Sequence, residues 1–283
     1  MDETQEEALC EITQLDLFIE SNKSQLTPPV CNKMIHNDGF LKVMIVGGPN
    51  TRQDYHLNLG EEIFYQIKGD MCLKIMEGGS PRDVVIKEGE MFVLPGRIPH
   101  SPQRFEDTVG LVIERERLAG ELDGLRYYVN EQNEDVLWQR FFPVKDLGKQ
   151  LKPLIEEYFQ SDAHKTKVPT TNSLPDAPWL PDEQTMVSVP FPLSSRLSEV
   201  LEPGRPPVTL FNKEFVVVAC GKGTQIPPLP IETECWVWNL PWSSEDVMVN
   251  DQVVSPFGTL LASDLQSVVV GEKSMVLIVY NIA

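Results

Sequence analysis

Cysteine is scarce in this chain, and its placement excludes two kinds of protein. Five residues, at positions 10, 31, 72, 220 and 235, are odd in number and form no C-x-x-C pair, so they suit neither a disulfide framework nor a cysteine-built zinc site. Positive charge is scarce as well: 24 Lys and Arg stand against 42 Asp and Glu, a formal net charge of -18. Such an excess repels nucleic acid and anionic membrane surfaces, leaving small molecules as the expected partners. Long apolar runs are missing, and the acidic start MDETQEEALCEITQLDLFIES has neither the basic region nor the apolar core of a signal peptide. A soluble, cytosolic protein is expected. Histidine is rarer still, with four residues (36, 56, 100 and 164), all before position 165.

What the chain does have is a succession of short apolar segments. Between Leu41 and Glu114 run LKVMIVGG, EEIFYQIKGD, MCLKIMEGG, DVVIKEGE, MFVLPG and TVGLVIER, a spacing that predicts an all-β barrel or sandwich. Residues 6–20 carry Leu9, Ile12, Leu15, Phe18 and Ile19 at helical spacing, and 144–159 carry Leu147, Leu151, Leu154, Ile155 and Tyr158, with Pro153 kinking or dividing the second helix. Pro169, Pro175, Pro178 and Pro181 then mark a stiff, extended connector. The expected division is a first domain over 1–168, a linker over 169–186 and a second domain over 187–283. The second domain returns to β character, and its ECWVWNL echoes the EEIFYQI of the first, which suggests a duplicated barrel. Without a histidine of its own, the second barrel is expected to be structural and free of metal.

The chemistry-bearing residues gather in 47–70, GGPNTRQDYHLNLGEEIFYQIKGD, and 89–104, GEMFVLPGRIPHSPQR. His56, Glu62 and His100 supply two imidazoles and one carboxylate, the ligand set of non-haem Fe(II) sites whose remaining positions stay open. Pro95 and Pro99 restrict the backbone before His100 and aim it rigidly. Arg52 precedes His56 by four residues and Arg104 follows His100 by four, so on extended chain each shares a face with its histidine. A guanidinium beside a metal suits a chelating, anionic ligand, because its planar fork matches a carboxylate. The alternative for either arginine is a simple ion pair with one of the many acids. Glu114, at the end of TVGLVIE, is either a solvated strand end or an acceptor for a ligand's amino or hydroxyl group. Asp54 and Glu61 are expected at the surface or behind the metal ligands, where a carboxylate orients an imidazole. The cysteines read as core residues.

These motifs resemble the cupin superfamily. Its two-part signature appears as Asp54-x-His56-x5-Glu62-x6-Gly69 and Gly89-x5-Pro95-x4-His100-x3-Arg104, with Asp54 standing where a first histidine is usual. In this form, and in PPVCNK, LKVMIVGGPNTRQDYH, RDVVIKEGE, PHSPQRF, TVGLVIERERL and ELDGLRYYV, the chain is similar to the 3-hydroxyanthranilate 3,4-dioxygenase family over most of its first 160 residues. The resemblance implies duplicated cupin (jelly-roll) barrels with a few peripheral helices. It also implies Fe(II) held by His56, Glu62 and His100, a substrate carboxylate held by Arg104, a substrate amino or hydroxyl group at Glu114, Arg52 beside O2, and Glu62 near the substrate. The implied reaction opens the ring of 3-hydroxyanthranilate with O2 to 2-amino-3-carboxymuconate semialdehyde, on the route through quinolinate to NAD. The C-x-x-C iron site of bacterial members is missing here, so the resemblance points to the animal branch of single-chain, monomeric two-cupin enzymes. Two other classes fit a cupin metal or cavity: a metal-dependent isomerase, and a noncatalytic two-barrel protein binding a small acid.

Overall fold

The computed structural model describes residues 11–28, 31–130, 135–144, 147–198, 206–224, 226 and 233–282. In chain order its elements are β1 (Glu11–Gln14), α1 (Leu15–Ser21), β2 (Asn32–His36), β3 (Leu41–Gly47), β4 (Tyr55–Leu57), β5 (Glu62–Lys68), β6 (Met71–Glu77), β7 (Ser80–Ile86), β8 (Glu90–Leu94), β9 (His100–Arg104), β10 (Val109–Arg115), β11 (Asp123–Tyr128) and β12 (Val136–Phe142). There follow α2 (Leu147–Gln160), α3 (Asp162–Thr166), β13 (Phe191–Pro192), α4 (Leu193–Arg196), β14 (Val208–Asn212), β15 (Phe215–Cys220), β16 (Cys235–Asn239), β17 (Val247–Val249), β18 (Gln252–Val254), β19 (Gly258–Ala262), β20 (Val268–Val270) and β21 (Val276–Asn281). The architecture is all-β, as expected, and no described helix is long and apolar enough to cross a membrane.

By their contacts the described residues fall into two compact units. The first barrel is built from Ser24–Lys33 and Met44–Pro192; the second group comprises Leu193–Ala283 with Met1–Lys23 and Met34–Val43. The first barrel has two six-stranded sheets, β12-β11-β4-β9-β6-β7 and β13-β8-β5-β10-β3-β2, with β2 and β3 contributing through Lys33 and from Met44 onward. Alternation explains how they close on each other. In β6, Met71, Leu73 and Ile75 are buried while Cys72 and Lys74 between them are not, and these inward residues pack with Phe64, Phe92, Leu94 and Val112 of the facing sheet. The turn between β5 and β6 is made where Gly69 takes φ +68, a left-handed conformation that costs glycine little.

Helix α2 runs through Pro153 without being divided. Its Leu151, Leu154, Ile155 and Tyr158 pack on Leu125, Tyr127 and Trp138 of β11 and β12. The proline-rich stretch 169–186 is extended, but it is a strap on the first barrel. Gln139 donates its amide to Ser173 O at 2.9 Å and Asp182 donates its own to Arg97 O at 3.0 Å, while the Trp179 indole donates to Leu122 O at 3.0 Å. These bonds explain why the first barrel runs to Pro192, where the sequence had suggested an end at 168.

The second unit holds a six-stranded sheet, β1-β19-β16-β21-β15-β14, and a three-stranded one, β18-β17-β20. Val216, Val218, Val237, Leu260 and Ile278 of the larger sheet pack with Val247, Val249 and Val254 of the smaller. Of the helix expected over 6–20, only Leu15 onward is helical; residues 6–10 lie outside the described residues. Glu11–Gln14 instead pair antiparallel with β19, where β-branched Ile12 and Thr13 favour extended backbone and cover a sheet edge. The same unit also includes His36, buried, with Nδ1 3.5 Å from a Glu11 carboxylate oxygen. The sequence reading had given the second barrel no histidine, and the place of His36 in this unit corrects that.

Candidate active site

The register of the first barrel places its two key histidines opposite each other, His56 on β4 against His100 on β9. Glu62 opens β5 in the facing sheet. The loop 95–99 fixes where β9 begins: a Cβ at Gly96 would lie 2.0 Å from Leu59 O, so only glycine lets this loop lie against the chain entering β5. As a result His100 Nε2 stands 3.3 Å from Glu62 Oε1 and His56 Nδ1 stands 3.8 Å from the same oxygen. All three side chains are buried, and their ligand atoms lie within 4.8 Å of one another.

The hydrogen bonds on the outer sides of the rings decide what faces inward. His56 Nε2 lies 2.7 Å from Asp123 Oδ2. Burial acts to raise the Asp123 pKa, but hydrogen bonds and charge from His56 and Arg117 outweigh it and hold that carboxyl at about 2. An ionised carboxylate only accepts, so His56 Nε2 carries the proton and Nδ1 presents its lone pair. His100 Nδ1 donates to Ile98 O at 3.0 Å in the same way, leaving Nε2 as the acceptor. Asn58 Nδ2 donates to Glu62 Oε1 at 2.8 Å and steadies the carboxylate. Two imidazole lone pairs and a carboxylate oxygen therefore converge, with their orientations set from behind, which fits a divalent transition metal with open positions.

Arg52, Arg104 and Glu114 line the same cavity as these three residues, together with apolar Met44, Val46, Phe64 and Val112. Arg52 is an ion-pair partner of Asp54, Nη2 to Oδ2. Arg104 is different. It is 3% exposed, its Nε has no hydrogen-bond partner, and among the described residues it has no ion pair. Burial, partly offset by Glu62 and reinforced by Arg52, lowers its pKa to about 10, so it remains a cation. An unpaired buried guanidinium is costly unless something anionic completes it. Glu114 Oε2 accepts from Arg117 Nη1 at 2.5 Å. Burial raises the Glu114 pKa, Arg117 opposes the rise, and the charge of Glu62 adds to it.

The structure thus brings His56, Glu62, His100, Arg52, Arg104 and Glu114 to one cavity. It reassigns the supporting acids. The carboxylate that orients His56 is Asp123, which the sequence reading passed over; Asp54 is buried and serves Arg52 instead. Arg117 was also missed. The string E114-R-E-R117 followed by Asp123 has no regular period and reads as a charged surface turn, and only the return of β11 beside β4 shows otherwise. Of the cysteines, Cys220 and Cys235 belong to the second core, as expected. Cys31 instead lines the cavity.

Comparison with known proteins gives a consistent result. A cupin 2 conserved barrel domain protein from Leptotrichia buccalis superposes with a TM-score of 0.54 at 10% identity, covering 99% of each chain, and this supports the cupin fold. The 3-hydroxyanthranilate 3,4-dioxygenase of Nematostella vectensis is 51% identical over 225 residues, 79% of this chain and 80% of that protein. That of Homo sapiens is 47% identical over 232 residues, 80% of each. The family model described as 3-hydroxyanthranilic acid dioxygenase matches residues 9–159, the span that contains the three convergent side chains, the two arginines and Glu114, and the chain belongs to that family.

Proposed function

We propose that this chain opens the aromatic ring of 3-hydroxyanthranilate with O2, giving 2-amino-3-carboxymuconate semialdehyde, at Fe(II) held by His56, Glu62 and His100. The observation that carries the reading is Arg104, a buried guanidinium without a protein partner in the wall of the cavity that holds the metal ligands. It supplies the charge and fork geometry that a ring carboxylate needs. Carboxylate capture by Arg104 and a metal held by the three acceptors in the same cavity define a ligand that is both anionic and chelating.

The protein's own groups do the positioning. Arg104 binds the carboxylate and so sets the ring's rotation, converting a multi-body encounter into a fixed geometry. Glu114 has one oxygen bound to Arg117, and the other is available to accept from the substrate's amino or hydroxyl group. Arg52, tethered by Asp54, adds positive charge to the cavity wall where oxygen gains electrons. Phe64, Val46 and Val112 give the ring an apolar bed and keep water out. When bound, Fe(II) supplies a redox-active centre whose three-ligand protein set leaves positions open.

The experiment is oxygen uptake by the Fe(II)-loaded protein on 3-hydroxyanthranilate, with anthranilate and an anaerobic vessel as parallel arms. Uptake with the hydroxylated acid alone, abolished by chelation, is the expected result. Turnover without O2 would instead indicate an isomerase, and uptake that survives removal of iron would contradict the reading.

A further inference from the structure

We propose that Arg117 is a positioning residue that locks the metal ligand His56 to the substrate-facing carboxylate Glu114, so that metal affinity and substrate affinity are set together by a side chain that touches neither. This rests on the roles assigned above to His56 and Glu114 and adds the connection between them.

The guanidinium uses all three of its nitrogens. Nε donates to Asp123 Oδ1 at 3.1 Å and Nη2 to Asp123 Oδ2 at 2.8 Å, a side-on fork. Nη1 donates to Glu114 Oε2 at 2.5 Å and to Arg115 O at 3.1 Å. Asp123 Oδ2 is shared, since it also accepts from His56 Nε2. A continuous path therefore runs from Glu114 through Arg117 and Asp123 to His56. Asp123 and Glu114 are both buried, and two carboxylates so placed repel unless a cation lies between them. Arg117 is that cation. It cannot turn toward one acid without leaving the other, because the fork on Asp123 and the Nη1 bond to Glu114 fix one plane. A lysine, with a single ammonium and no fork, can serve one of the two acids at a time.

Holding the turn after β10 in place is a different job, and another pair does it. Arg115 donates to both carboxylate oxygens of Glu121, at 2.6 and 2.8 Å, and Glu121 also accepts from Leu118 N at 2.8 Å. Arg117 is thus free to serve the site.

The test uses the full-length chain and two constants: Fe(II) affinity by competition with a chelator, and anaerobic binding of 3-hydroxyanthranilate with iron in excess. Arg117→Met is expected to weaken iron by roughly ten- to a hundredfold, the usual cost of losing an outer partner of a ligating histidine, and to weaken substrate as well. Asp123→Asn should weaken chiefly iron, and Glu114→Gln chiefly substrate. Arg117→Lys should restore at most one of the two constants and, should Arg117→Met not fold, carries the test by itself. Arg117→Met or Arg117→Lys leaving both constants at the wild-type value would overturn the proposal. So would Arg117→Met changing one constant only, or Glu121→Gln reproducing both losses. His56→Ala that still binds iron normally would overturn the metal site itself, a failure distinct from that of the link.

Discussion

In the first barrel, strand β5 begins with the buried carboxylate of Glu62; in the second, strand β16, which echoes it in sequence, begins with the buried thiol of Cys235. Burial raises that thiol to about 12, so it is a neutral, small core residue. The contrast extends inward. The first barrel encloses Asp54, His56, Glu62, His100, Arg104, Glu114 and Asp123, whereas the second closes on Val216, Val237, Leu260 and Ile278. Burying ions is unfavourable unless each is paired, and in the first barrel the acids of the site do have partners. The comparison teaches that this barrel can be filled either way, and that the charged filling persists only with a web of hydrogen bonds around it. Arg104 stands outside that web, which is why it carries the proposal of an anionic substrate.

The comparison can be broken most strongly at Glu62. Glu62→Ala is expected to lose iron on dialysis and to lower turnover by roughly a thousandfold or more, since it removes one of three ligands; metal analysis and oxygen uptake check it. The converse change, Cys235→Glu, puts a carboxylate into a core without partners and should destabilise the protein by about 3–5 kcal/mol, read by urea unfolding, with iron content per folded molecule unchanged. Arg104→Ala should keep iron and reduce kcat/KM by roughly a hundredfold, the worth of one charge-assisted contact of about 2–3 kcal/mol, measured in steady state.

The smallest effect lies just after the strap. Glu77 Oε1 accepts from Val187 N at 2.6 Å, and that bond, with Arg82 also contributing, holds its pKa below the usual carboxylate value. A depressed carboxylate lends stability above its unfolded pKa and loses it as pH falls through the folded one. Protection of the Val187 amide in hydrogen exchange should therefore decline on acidification below the ordinary carboxylate range. Glu77→Gln should remove that pH dependence.

Much of the first barrel was legible because its signals are local. Alternating apolar residues announce strands such as β6, glycine at 69 announces a turn, and two prolines announce the rigid approach to His100. What stayed hidden depends on distant pairing. Asp123 orients His56 only because β11 lies beside β4, and no spacing in the sequence encodes that. Residues 11–14 looked helical from their apolar spacing, yet the free edge of β19 drew them into a sheet. The strap was legible as extended chain but not as attached, because its anchors, Ser173, Trp179 and Asp182, bond to backbone groups far away in sequence.

The most direct test of the contrast between the barrels is metal stoichiometry, measured after anaerobic reconstitution with Fe(II) and gel filtration, for the wild-type chain and for His100→Ala side by side. A three-ligand site confined to the first barrel predicts about one iron per wild-type chain and essentially none in the variant. Equal iron in both, or about two per wild-type chain, would contradict it.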